Sequence, residues 1–425
     1  MKMLLKNGRV IDPANKIDDT LDIIIEDGKI SEIKPRISEK GIETIDLAGL
    51  VVAPGFIDMH VHLREPGRED EETIETGTKA AAAGGFTGVA CMPNTEPVND
   101  DQAVTEYILS QAKKSAIVNV YPIGCITKAR EGEELAQIGD LVESGVVAVS
   151  DDGNCVASGL IMRKALEYTK MFGIPIIDHC EDPNLSDGGV MNEGYYSTIL
   201  GLKGMPFLAE DVMAIRDILL AEMVKGKLHI AHVSTKGCVN MVREAKKRGA
   251  HVTCEVTPHH FTLTDAAVMG YDTNTKMNPP LRSEGDRKAV LEGLKDGTID
   301  CIATDHAPHN SIEKNVEFSQ APFGIIGLET AVSLALDRLV HTRIINLSRL
   351  VELMSLNPAR ILNIKKGILS KGEDADITIL DIKKTVTVDV KKLKSKSRNT
   401  PFNGLKLKGA PVMTIVSGKI VHDSR

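Results

Sequence analysis

Residues that can bind metals or move protons gather at a few places in this chain. Asp58-Met59-His60-Val61-His62, Ser150-Asp151-Asp152, Asp178-His179-Cys180-Glu181, Ala231-His232 and Thr304-Asp305-His306 each close a short apolar run. On an extended strand, residues i and i+2 point the same way, so His60 and His62 share a face. Imidazole and carboxylate together suit zinc and its transition-metal neighbours. His60, His62, His179 and His232, with Asp305 and one aspartate of the Asp151-Asp152 pair, make six candidate ligands. That is enough for two cations joined by a bridge, an arrangement that activates water for attack on a carbonyl. One H-x-H pair would be weak. The same residue types ending five separate runs are hard to obtain by accident.

Those runs belong to a longer series. Val52–His60, Gly88–Met92, Ile117–Ile123, Val146–Ser150, Ile174–His179, Leu228–His232, His251–Val256 and Cys301–Thr304 are strand-length and nearly all apolar. Helix-length segments lie between them, such as Glu72–Ala83, Asp101–Lys113, Ser158–Phe172, Asp211–Lys225 and Lys236–Arg248. Continuous apolar strands imply burial on both faces and a parallel sheet. Eight such units predict an α/β (β/α)8 barrel over 53–360, whose strand ends share one face. A doubly wound sheet is the rival, but no G-x-G-x-x-G follows the first strand. The two ends differ: Leu4–Val10, Leu21–Glu26, Lys29–Ile33, Ala375–Leu380, Val412–Val416 and Lys419–Val421 read as strands, with Asn7-Gly8, Asp27-Gly28 and Ser417-Gly418 as turns. They predict one small composite β domain from 1–52 and 361–425. Lys391–Arg398 reads as a solvated surface loop. Asn310–Ala321 is polar and aperiodic, either a mobile loop over the mouth or plain surface.

Composition narrows the function. Lys+Arg is 51 against Asp+Glu 59, a net charge of −8, which disfavours nucleic acid as partner. Hydrophobic residues at 42% and charged residues at 26% fit a globular chain. Aromatics are 3% with no Trp, so recognition by stacking is a poor reading. No run is long enough for a membrane helix, and Met1–Lys6 has too short an apolar core for a signal peptide. Seven scattered cysteines without a C-x-x-C pair point to buried thiols in a reducing cytoplasm, not to disulfides or a cysteine zinc site.

The order of motifs adds a resemblance. VVAPGFIDMHVHLREPG at 51–67, Met92-Pro93-Asn94-Thr95, DHCED at 178–182, AHVST at 231–235, TPHH at 257–260, KMNPPLR at 276–282 and IATDHAPH at 302–309 run through most of the chain. Together they resemble the dihydroorotases of the long, bacterial-type (class I) group of the amidohydrolase superfamily. H-x-H is shared across that superfamily, while HLREPG with KMNPPLR is far more specific. The resemblance implies a TIM-like metallo-hydrolase barrel with a small composite β-sandwich domain, and reversible zinc-dependent hydrolysis of (S)-dihydroorotate to N-carbamoyl-L-aspartate in pyrimidine biosynthesis. It implies Zn2+, one or two per subunit with two favoured. His60, His62 and Asp305 would hold one ion and His179 and His232 the other. Many relatives bridge the metals with a fourth-strand lysine. This chain has none there, and the bridge falls to Asp152, with Asp151 as the alternative. Asp305 would also be the catalytic proton carrier. His62, Arg64, Asn94, Asn278, His309, Phe323 and Gly324 would contact substrate, Arg64 gripping the carboxylate that neutral cyclic amides lack.

Asp58 and Glu181 could orient ligands, His259 and His260 end the seventh run but read more readily as core or loop histidines than as site residues, and His306 would point away from Asp305. A homodimer or an assembly with aspartate carbamoyltransferase is implied as possible company. Two other readings stand beside this one. The first is another cyclic amidohydrolase, of allantoinase or hydantoinase type. The second is a catalytically silent scaffold homologue, against which all six filled ligand positions argue.

Overall fold

A computed structural model of the protein describes residues 2–39 and 41–425. Eight short parallel strands form its centre: β1 (Phe56–Val61), β2 (Phe86–Cys91), β3 (Asn119–Gly124), β4 (Ala148–Val149), β5 (Ile176–Asp178), β6 (Leu228–Ile230), β7 (Val252–Val256) and β8 (Cys301–Ile302). They pair in chain order. The ring closes where Val61 pairs with His306 and the His62 amide donates to the His306 carbonyl at 2.9 Å. Met59, Ala90, Ile123, Ala148, Ile177, Ala231 and Cys301, contributed around the ring, form one small buried cluster with Leu362. Three of these are alanines, as the narrow interior of an eight-stranded barrel requires.

Helices cover the outside. Ile74–Ala83, Gln102–Ser115, Gly159–Phe172, Lys236–Lys247 and Glu284–Asp296 each start at a side chain that accepts a backbone N–H from the first turn: Thr73, Asp101, Ser158, Thr235 and Ser283. Such caps satisfy donors the helix cannot, at about 1 kcal/mol each. Strand and capped helix thus alternate as the apolar runs foretell, and every strand's C-terminal end opens on the same face.

The small β-sandwich domain is hydrogen-bonded as one eight-stranded sheet. Lys419–Asp423, Lys406–Val416 and Ile377–Thr387 come from the C-terminal part, and Val51–Pro54, Lys2–Asp12, Ile17–Glu26, Lys29–Lys34 and Glu43–Asp46 from the N-terminal part. Val10, Ile23, Ile25, Val52, Ile377, Ile379, Val412 and Ile415 share its core.

Three local readings are corrected. The run Val52–His60 is two strands, since Val51–Pro54 pairs with Ile377–Leu380 and only Phe56–Val61 enters the barrel. The crossing is made at Gly55, where a Cβ would lie 2.0 Å from Thr87 Oγ1. Asn7-Gly8 is no turn. It is a bulge inside Lys2–Asp12: Asn7 has φ 61° and the register skips between Leu5 and Gly8, because sheet partners on both sides override the local turn preference. Asp27-Gly28, with φ 50° and 83°, does turn the chain. Finally, Lys391–Arg398 is not merely solvated. Ser395 and Ser397 are buried, and this segment bonds to Glu329 and Glu72, more than 60 and 300 residues away. Local composition cannot register contacts at that separation.

Gly55→Ala should destabilise the protein by roughly 1–3 kcal/mol, through overpacking against Thr87. Denaturant unfolding of the two proteins side by side measures this.

Candidate active site

The six candidate ligands meet at the C-terminal mouth of the barrel, and all six are buried. His60 Nε2 lies 3.3 Å from Asp152 Oδ1 and 3.4 Å from Asp305 Oδ1. His62 Nε2 lies 3.0 Å from Asp305 Oδ1 and 3.5 Å from Asp152 Oδ2. His232 Nε2 lies 3.6 Å from Asp152 Oδ1, and His179 Nδ1 lies 3.8 Å from it. Asp152 therefore stands between the β1 histidines and those of β5 and β6. Asp151 faces the other way, accepting from the Ile126 and Thr127 amides at 2.9 and 3.1 Å and from the Thr127 hydroxyl. Strand alternation separates the two neighbours. His232 and Asp305 have φ of 33° and 48°, left-handed conformations that cost a non-glycine residue energy and cluster at functional sites.

The partners behind the rings decide what the rings present. His60 Nδ1 donates to Glu255 Oε1 at 2.7 Å, and His62 Nδ1 to Asn94 Oδ1 at 2.8 Å. His179 Nε2 donates to Glu181 Oε2 at 3.1 Å. Carboxylates and amide oxygens only accept, so each ring turns its other nitrogen into the cluster. There His60 Nε2 and Asp152 Oδ1 are buried with no hydrogen-bond partner, and His179 Nδ1 faces His232 Nε2 at 3.0 Å. Converging lone pairs of this kind fit cations. Three overlapping triads can each surround an ion: His60-His62-Asp152, Asp152-His179-His232 and His60-His232-Asp305. The electrostatics agree. Burial disfavours charge on His60, yet Asp152, Asp305 and Glu255 hold its pKa well above the usual value. Against the same burial, His60 keeps the Asp305 carboxyl below its usual range and holds Glu255 at about 2. The field of the cluster favours positive charge at its centre.

Beside it is a cavity of about 330 Å³, lined by His62, Arg64, Asn94, Asp152, His179, His232, Asn278, Asp305, His309, Phe323 and Gly324 among others. Every sequence-derived site residue except the deeper His60 reaches this space. Arg64 lies 3.0 Å from Glu71 Oε2 and donates to the Pro308 carbonyl at 3.2 Å. The His309 ring sits between Glu71 Oε1 at 2.9 Å and the Phe323 carbonyl at 2.8 Å. Gly324 is hydrogen-bonded within the wall through both its amide and its carbonyl. Asn278 Nδ2 donates to Glu181, while its Oδ1 is buried and unpartnered.

Other sequence candidates lie elsewhere. Asp58 touches no ligand ring; its Oδ1 accepts from the His60 and Thr304 amides and ties β1 to β8. His260 is held by Thr257 and the Pro279 carbonyl, and His306 bonds to Glu72 and the Gly327 amide. His259 is buried and pushed down to about 3 by that burial. Sequence reasoning missed Glu255, although a carboxylate inside the apolar run Val252–Val256 was the available signal. It also missed Glu71, which joins Arg64 to His309. Lys276 and Lys314 were missed too; their ammonium groups grip the carbonyls of Ser319, and of Pro322 and Gly324, so the stretch after Asn310 is anchored.

A parallel barrel with a buried histidine and aspartate cluster at its C-terminal mouth, able to hold metal ions, has the form of a metal-dependent hydrolase. Residues 49–238 match the dihydro-orotase-like family and residues 271–422 the amidohydrolase family. The dihydroorotase of Geobacter metallireducens is 57% identical over 99% of this chain and 100% of its own. That of Pelotomaculum thermopropionicum is 58% identical over 100% of this chain and 99% of its own. Among solved structures, the L-hydantoinase of Arthrobacter aurescens superposes with a TM-score of 0.91 at 26% identity, covering 99% of this chain and 96% of its own. The chain belongs to the dihydroorotase family.

Glu255→Gln should weaken metal affinity about 10–100-fold by loosening His60. Asp152→Asn should weaken it at least as much, whereas Asp151→Asn should leave affinity unchanged and lower Tm. Competition with a chromophoric chelator reads the affinities.

Proposed function

We propose that the centre binds zinc, two ions per subunit bridged by Asp152, and that it reversibly hydrolyses (S)-dihydroorotate to N-carbamoyl-L-aspartate. One juxtaposition supports this reading: the buried cluster, with His60 Nε2 and Asp152 Oδ1 lacking hydrogen-bond partners, and the buried Arg64 guanidinium adjoin one small cavity. His60, His62 and Asp305 would hold one ion, and His179 and His232 the other. Bound divalent ions supply Lewis acidity, polarising an amide carbonyl and making water acidic near neutral pH. Asp305 holds and moves the proton. Its carboxylate stays ionised in the cluster, so it can accept a proton from the attacking water and deliver it to the leaving ring nitrogen. Arg64 offers the planar fork that a ring carboxylate fits, with Asn94 and His309 flanking it. Asn278 Oδ1, an acceptor without a partner, suits a ring N–H. The Phe323-Gly324 backbone closes the wall.

The cytoplasm is the proposed compartment. All seven cysteines are free, and among the described residues no helix is long and apolar enough to cross a membrane. A second copy of the chain is the proposed assembly partner. Leu208, Val212, Leu219 and Met223 form an exposed apolar stripe along the helix Leu208–Val224, which such a copy would cover.

Chelator-stripped protein should be inactive and regain dihydroorotate turnover as zinc is added, saturating at two equivalents. Losing the charged hydrogen bonds of Arg64, worth roughly 1.5–3 kcal/mol, should cut kcat/KM in Arg64→Ala by about 10–150-fold. Dihydrouracil and allantoin assayed in parallel should turn over poorly; preference for either neutral ring would overturn the substrate assignment.

A further inference from the structure

The segment 394–400 crosses from the C-terminal part of the chain to the mouth of the barrel. The Lys394 and Ser395 amides donate to Glu329, the Ser395 hydroxyl and Lys396 amide to Glu72, and the Ser397 hydroxyl to the Glu71 carbonyl. Arg398 is tied back to the Ser395 and Ser397 carbonyls. Next in the segment comes Asn399, which is 3% exposed.

Asn399 spends its whole amide on two loops. Nδ2 donates to the Ala307 carbonyl at 2.9 Å and the Gly324 carbonyl at 3.0 Å, while Oδ1 accepts from the His309 amide at 3.1 Å. Its own carbonyl accepts from the Ile326 amide at 2.9 Å. The loop 306–309 and the loop 322–326 are thereby held side by side. Their approach is close: a Cβ on Gly324 would lie 2.7 Å from the Ala307 carbonyl and 2.8 Å from the His309 ring. A hydrophobic contact could not fix that register, because what meets there is polar backbone. A side chain with two donors and one acceptor in a plane can.

We infer that Asn399 is a positioning residue for the substrate-binding wall: through the strap 394–400 it clamps the loops that carry His309 and Phe323-Gly324 against Arg64. This rests on the dihydroorotate reading above. Asn399 touches neither the ligand cluster nor the cavity, so its effect must pass through the wall. It sets how tightly the ring carboxylate is gripped and leaves the hydrolytic centre alone.

Asn399→Asp is the discriminating variant. It keeps the acceptor for the His309 amide and turns the second arm into an oxygen facing two carbonyls. In zinc-loaded enzyme, the dihydroorotate KM should rise about 10-fold or more, as small misplacements of binding groups do. We expect kcat to stay within about 3-fold and zinc content to be unchanged. Amide hydrogen exchange at His309 and Ile326 should quicken at least about 10-fold, with β1–β8 unaffected. Ser397→Ala, a milder loosening of the same strap, should raise KM about 2–3-fold and keeps the test open should Asn399→Asp fold poorly. An unchanged KM with unchanged exchange would overturn the inference. So would a fall in kcat that tracks zinc loss, which marks general damage. If the unsubstituted protein itself fails to turn over dihydroorotate, the functional reading falls. The exchange arm still decides the clamp: faster exchange upholds it and unchanged exchange overturns it.

Discussion

Four imidazoles and two carboxylates, all six buried, are packed within a few ångströms of one another, an arrangement that favours positive charge among them. His60 Nε2 and Asp152 Oδ1 have no hydrogen-bond partner, and His179 and His232 bring two ring nitrogens to 3.0 Å. An unpaired buried polar atom costs on the order of 1–3 kcal/mol. Several in one place would not persist unless something held them. The rest of the structure answers that demand. Parallel strands bring their polar ends to a single face, Glu255, Asn94 and Glu181 fix the outer nitrogens of the rings, and the strained backbone at His232 and Asp305 aims two more ligands inward. A bound metal cation would relieve the crowding.

Specificity is built on a different principle from reactivity. The candidate ligand cluster belongs to the ends of the barrel strands and is buried there. The wall that faces it, with Arg64, His309 and Phe323-Gly324, is made of loops. Loops need restraints, and here these are buried and polar. Glu71 joins Arg64 to His309, Lys276 and Lys314 hold the carbonyls of 319–324, and the strap 394–400 crosses from the terminal sheet. The L-hydantoinase fold superposes closely on this one at 26% identity. One barrel architecture is thus shared at low identity, and a shared fold does not by itself fix which substrate is taken.

Much was legible because the information is local. Period and run length mark strands and helices, and H-x-H at the end of an apolar run places two ligands on one side of one strand. The same reasoning leaves Asp151 and Asp152 open. Only the bonds from Ile126 and Thr127 to Asp151 show which aspartate turns away. It also reads Asn7-Gly8 as a turn, since the dipeptide suits either a turn or a bulge and sheet partners choose between them.

The sequence by itself determined the alternating architecture, the ligand types and their order along the chain, and the guanidinium that could hold a carboxylate. These follow from side-chain chemistry and from periodicities of a few residues. Tertiary structure alone decided that Glu255 backs His60 across 195 residues, that Gly55 hands the chain from one sheet to the other, and that a basic stretch near the C-terminus is a strap on the active-site wall. Each of these is a hydrogen bond or close approach between distant segments. Its partner is fixed by where the folded backbone passes, a quantity no local pattern of residues contains.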